Sequence, residues 1–248
     1  KVASKKYESR VMKFLRELYD SMVRDKENEI ENRPEVLAVL VRTNKQAQDI
    51  KRILDKMRNK VRGRKENRDI VYEVVTGGTL FSSEAARDLL ILFNALCYKD
   101  DPESYFALFQ TPFTPAAFDP SLLIDCNGNK KEITRRFSYD EVRGYRETIE
   151  ALRIKPALHA VYQFISVNPF EKVLASQNVQ SHEIERYRLN LYRILELAMN
   201  EAGSGINSIY TLKNWLQLQV ATNRDEPEME ADTSKYEKII RVMTVHKA

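Results

Sequence analysis

Glycine is scarce: 7 residues in 248, against a usual share of about 7%. That argues against a glycine-rich sandwich, propeller or phosphate-loop protein and favours many helices. Cysteine is scarcer still. Cys97 and Cys126 exclude a disulfide framework and a four-cysteine zinc site, and read as reduced thiols. No apolar run approaches the roughly 18 residues that cross a bilayer. The basic residues between Lys1 and Lys6 are not followed by the apolar core of a signal segment. With 43% hydrophobic and 31% charged residues, the chain can bury one large core or two smaller ones, which excludes wholesale disorder. It stops just after the apolar run Ile239–Val245. Because termini are usually polar and frayed, the expectation is a piece of a longer chain.

Net charge is +4, which is mild, but the charges cluster. Between Lys51 and Arg68 nine basic residues face two acids. The stretch reads either as a solvated helix face or as a phosphate-facing patch. Between Arg224 and Glu237 six acids and Pro227 read as a solvated linker.

Periodicity assigns the elements. Tyr7, Val11, Phe14, Leu15, Leu18, Tyr19 and Met22 recur at helical spacing. The continuous apolar run Val36–Val41 suits a parallel strand buried on both faces. Ala47, Ile50, Leu54, Met57 and Val61 mark a second helix, and Ile70–Val75 a second strand. Ser82 or Ser83 is placed to cap a third helix, with Glu84 in its first turn. Asp101-Pro102-Glu103 starts another, and Ser138 to Glu141 has the form of a capping box. From Pro120 to about Val220 the pattern is helical, closed in part by Gly203-Ser204-Gly205, before a strand over Lys238–Val245. The expected fold is α/β with a large all-α insertion, mostly helical overall.

Self-contained catalysis is hard to assemble. There is no G-x-x-x-x-G-K-[ST] loop. His182-Glu183 lacks the second histidine of a zinc hydrolase, His159 reads as a core or rim imidazole, and Leu122 to Asp125 followed by Cys126 reads as a loop or hairpin rather than a metal-holding strand end. No catalytic, metal-ligating or cofactor-binding residue is assigned. Two strand ends carry more. Arg42-Thr43-Asn44 follows one apolar strand, and Thr244-Val245-His246-Lys247 follows another. Ligand sites gather at the carboxyl ends of strands in α/β sheets. Thr43 or Asn44 serves either as a helix cap or, with Arg42 and the helix amides, as part of an anion site.

Val36 to Asn44, with Gln46 and Ile50 beyond, resembles the apolar strand–Arg–Thr–Asn motif of superfamily 1A (UvrD/Rep-like) DNA helicases. Thr76 to Ala85 and Arg87-Asp88-Leu89-Leu90 resemble that family's following segment. The Leu-Phe-Ser-Ser-Glu-Ala form, Asp100-Asp101-Pro102 and Leu108 to Phe113 look closest to the RecB/AddA (exonuclease V-like) branch, and Arg241 to Ala248 resembles the start of helicase motif V. The resemblance implies a partial RecA-like, P-loop-NTPase-type second motor domain. Its 2A subdomain would span residues 1–99 and 233–248, with a helical 2B insertion at 100–232. It implies DNA-backbone contacts at Arg42, Thr43, Asn44, Thr244 and His246, and a candidate DNA-facing basic patch of Lys51, Arg52, Arg58, Arg62 and Arg64. It further implies ATP and Mg2+ in the full-length parent but none bound by this piece, which alone would be inactive. The implied partners are single-stranded and duplex DNA and a second helicase–nuclease subunit, with no membrane, in cytoplasmic DNA repair and recombination. The alternatives kept open are a non-enzymatic helical interaction scaffold and a basic nucleic-acid-binding module.

Overall fold

The computed structural model describes residues 9–19, 35–62, 70–75, 79–99, 101–114, 142–201, 207–233 and 238–245. His246, Arg64, the Arg62 side chain, Asp100, the 76–78 segment, the 121–126 run, the 138–141 box and the 203–205 glycine segment lie outside the described residues. The chain is mostly helical with one small parallel sheet. It divides into two compact units, one formed by Lys1–Gly77 with Asp232–Ala248 and the other by Gly78–Ala231. Among the described residues no helix is long and apolar enough to cross a membrane.

The first unit holds α1 (residues 9–19), β1 (Glu35–Val41), α2 (Asn44–Arg62), β2 (Tyr72–Val75) and β3 (Lys238–Thr244). The sheet order is β1-β3-β2, with both pairings parallel. The strand that comes last in sequence therefore sits in the middle and supplies both ladders. Alternation splits the sheet into two faces. On one, Tyr72, Val74, Ile240 and Val242 are buried against Leu15 and Tyr19 of α1 and Ala47, Ile50, Ile53, Leu54 and Met57 of α2. Each such Val, Leu, Ile or Met side chain, once removed from water, contributes about 1.5–3 kcal/mol.

The other face departs from expectation. Ala38 is exposed and Leu40 is 55% exposed, although the apolar run predicts a strand covered on both sides. Among the described residues, α1 and α2 pack on the face that carries Val39 and Val41. Further along the face of Ala38 and Leu40, Ile239 is buried, and Arg241 donates to Glu73 at 3.0 Å and to the Thr233 hydroxyl at 3.1 Å. That pairing satisfies the one buried carboxylate of β2.

The second unit is helical: α3 (Glu84–Cys97), α4 (Pro102–Ala107), α5 (Tyr145–Ala151), α6 (Ala157–Val167), α7 (Phe170–Ser176), α8 (Ser181–Glu201) and α9 (Ile209–Thr222). The predicted starts of α3 and α4 are present. Ser83 accepts from the Ala86 amide at 3.3 Å, and Asp101 from the Ser104 amide at 3.1 Å with Pro102 in the first turn. Leu89, Leu92, Phe93 and Leu96 of α3 are buried against α8 and α9. Packing thus divides the chain after Gly77 and after Ala231, whereas the sequence reading sets the divisions after 99 and after 232. The reason is that an amphipathic stripe shows a helix has a core to fill, not which core.

The acidic stretch is more than a solvated linker. Leu80 donates to the Glu226 carbonyl at 2.7 Å, Arg193 to the Glu226 carboxylate at 2.9 Å, and the Met229 amide to Asn190 at 2.8 Å. Arg224 reaches Glu201 at 2.6 Å, and the Trp215 indole donates to the same carboxylate. Residues 224–229 are therefore strapped to the helical unit, and the Arg193–Glu226 and Arg224–Glu201 bonds among these are charge-assisted and stronger than neutral ones.

Candidate nucleic-acid interface

The two singled-out strand ends are neighbours. Val41 lies opposite Thr244 in the parallel register, and the Val245 amide donates to the Val41 carbonyl at 2.9 Å. The carboxyl end of β1 and that of β3 therefore open on the same edge of one sheet, beside the N-terminus of α2.

Arg42, Thr43 and Asn44 are all exposed. Of the two capping candidates, Thr43 is the cap. Its hydroxyl accepts from the Gln46 amide at 3.2 Å and its carbonyl from Ala47 at 3.1 Å. The Gln46 side chain reaches back to accept from the Arg42 amide at 2.9 Å, which holds the turn in the manner of a capping box. These bonds use the Arg42 backbone and leave its guanidinium at the surface. A 19-residue helix carries a partial positive charge at this end, so an exposed cation and a helix N-terminus point to the same place. That is an arrangement suited to an anion.

Thr244 is different. It shares a sheet face with Ile240 and Val242, the face covered by α1 and α2, and is 6% exposed. Its hydroxyl is not offered to solvent as the exposed side chains of Arg42 and Asn44 are. The same period-2 alternation that buries Val242 puts Thr244 inside, a signal that was legible in the strand pattern.

One member of the basic patch faces inward. Arg58 is buried. Its guanidinium lies 5.8 Å from the Tyr72 ring centroid and 3.6 Å from Asp55, and the Tyr72 hydroxyl donates to that carboxylate. Arg58 thus ties α2 to β2 rather than facing a ligand. Arg52 pairs with Asp49 one turn away, Lys51 is half-buried, and Lys56 is exposed. Arg58→Ala is expected to lower the stability of the sheet unit by about 1–3 kcal/mol, the cost of leaving Asp55 and Tyr72 short of a buried partner. Urea unfolding followed by circular dichroism checks this, with Lys56→Ala, on the exposed side, shifting the midpoint little.

Elsewhere His159 is exposed on α6 and His182 is buried at the start of α8. Among the described residues no group of three His, Cys, Asp or Glu side chains is placed to hold a metal ion. No family model matches the chain, and no curated protein matches it.

Proposed function

We propose that this chain belongs to the second motor domain of a superfamily 1A-type DNA helicase or translocase, of the RecB/AddA kind, acting in DNA repair and recombination in the cytoplasm. In this reading it holds the phosphate backbone of single-stranded DNA at the carboxyl ends of β1 and β3. The observation that supports it most is the parallel pairing of those two strands, with Val41 opposite Thr244. Two motifs about 200 residues apart in sequence meet at one sheet edge, and the exposed Arg42 and Asn44 stand there beside a helix N-terminus. A motor that moves along any sequence gains by holding phosphates rather than base edges, because phosphate contacts position without reading sequence.

The chain's own part is binding. Arg42 supplies a bidentate donor for a phosphate, the α2 N-terminus supplies amides, and His246 is the proposed contact beyond β3. Thr244, being buried, is proposed to act by fixing the end of β3. ATP and Mg2+ belong in this reading to the full-length parent. The chain has no phosphate-cradling lysine loop, so no step with nucleotide is assigned to its side chains. Duplex DNA or a second helicase–nuclease subunit would meet the helical unit.

The test is ATP hydrolysis by the full-length protein with and without single-stranded DNA. Stimulation by the strand, reduced by Arg42→Ala, is the expected result. Hydrolysis indifferent to DNA would overturn the reading in favour of a helical scaffold.

A further inference from the structure

Three side chains gather where α3 ends. The Tyr210 hydroxyl donates to the Cys97 carbonyl at 2.9 Å. The Lys213 ammonium donates to the Tyr98 hydroxyl at 3.2 Å and lies 5.2 Å from the Tyr98 ring centroid. Tyr210 and Lys213 stand three residues apart on α9 and so share one helix face. Part of this is helix termination. The Cys97 carbonyl is among the last four of α3, which lack an intrahelical partner, and a cation suits the negative end of the helix dipole. That accounts for a hydroxyl and an ammonium. It does not account for two large rings left in water, Tyr98 at 47% and Tyr210 at 54% exposure.

We infer that Tyr98, Tyr210 and Lys213 form a stacking platform for unpaired bases of a single-stranded nucleic acid. Each phenol is held by its polar tip, so its ring presents apolar surface with little rotamer freedom to lose on binding. Exposed rings beside ammonium groups bind base and phosphate together, whatever the sequence. Charge selects this partner over a peptide that would offer a cation to the rings. Lys213 and the exposed Lys99 repel such a peptide and attract a phosphate. Of the acids that follow Lys99, Asp101 has its carboxylate committed to the Ser104 amide and hydroxyl, at 3.1 and 2.8 Å, Glu103 is exposed, and Asp100 lies outside the described residues. The platform lies wholly in the helical unit and shares no residue with the β1 and β3 ends, so it does not rest on the reading of that site.

The experiment measures binding of fluorescent oligo-dT, oligo-U and an abasic strand of equal length to the 248-residue chain at fixed salt. The Tyr98→Ala/Tyr210→Ala variant is expected to bind the base-bearing strands about tenfold or more weakly and the abasic strand as wild type does. Tyr98→Phe/Tyr210→Phe, which keeps the rings, should stay close to wild type. Equal losses on abasic and base-bearing strands, or no loss on either, would overturn the inference. Should the alanine variant fail to fold, photocross-linking of wild type to an iodouracil-bearing strand decides. Adducts at Tyr98 or Tyr210 support the platform, and adducts only elsewhere overturn it.

Discussion

Val242→Asp is expected to unfold the sheet unit and leave the helical unit folded. Val242 is fully buried at the centre of β3, opposite Val39 of β1 and Val74 of β2, and is packed under α1 and α2. A carboxylate there would lose its water without gaining a partner, a cost of about 3 kcal/mol or more. Since β3 is the strand that both neighbours pair with, losing it removes every ladder of the sheet at once. The lone tryptophan, Trp215, lies in the other unit, edge-on to Phe81 with ring centroids 5.9 Å apart. Its emission therefore reports the helical unit. Amide exchange over 35–41 and 238–244 should rise to unprotected rates while the Trp215 spectrum stays native. A red-shifted Trp215 in the same variant would mean that the two units fold as one.

Asp88→Asn is expected to stabilise the helical unit at neutral pH. Asp88 is 3% exposed, accepts from the Tyr187 hydroxyl at 3.0 Å, and lies 3.3 Å from the Arg87 guanidinium. Burial pushes its carboxyl up to about 6, against the opposing pull of Arg87 and the Tyr187 bond, and Glu84 adds to the rise. The folded state thus holds the proton more tightly than the unfolded chain. The stability this confers is complete below about pH 4 and is lost as pH rises through about 6. Above that, burying the charged form costs up to about 3 kcal/mol. An asparagine keeps an acceptor for Tyr187 without the charge. The variant should therefore gain about 1–3 kcal/mol at pH 7 and nothing at pH 3.5, read from urea unfolding followed by Trp215 emission. A gain that is the same at both pH values, or a loss at pH 7, would contradict this account of Asp88.

Much of the local structure was legible. The apolar runs at 36–41, 70–75 and 238–245 anticipate β1, β2 and β3, because β-branched runs of that length have few other uses. The α2 stripe Ala47, Ile50, Leu54 and Met57 is the one that is buried. The caps Ser83 and Asp101 act as read, since capping depends only on neighbours in sequence. What stayed hidden was long-range. No local pattern places β3 between β1 and β2, or assigns α3 to the helical core. Leu40 looks the same in the sequence whether or not a helix covers it. Arg58 looked like its basic neighbours because charge counting takes no account of Tyr72 and Asp55, which hold it inside. At the candidate site, the two strand-end motifs were legible, and so was the period-2 alternation along β3 that turns Thr244 inward.

The central claim is that the β1 end grips phosphate through Arg42. The salt dependence of single-stranded DNA binding by the full-length protein tests it most directly, comparing wild type with Arg42→Ala. Each phosphate contact on a single strand contributes about 0.7 to the slope of log affinity against log salt. The account predicts weaker binding by the variant and a slope shallower by about that amount, for every strand sequence tried. An unchanged slope, whatever happens to the affinity, would contradict it.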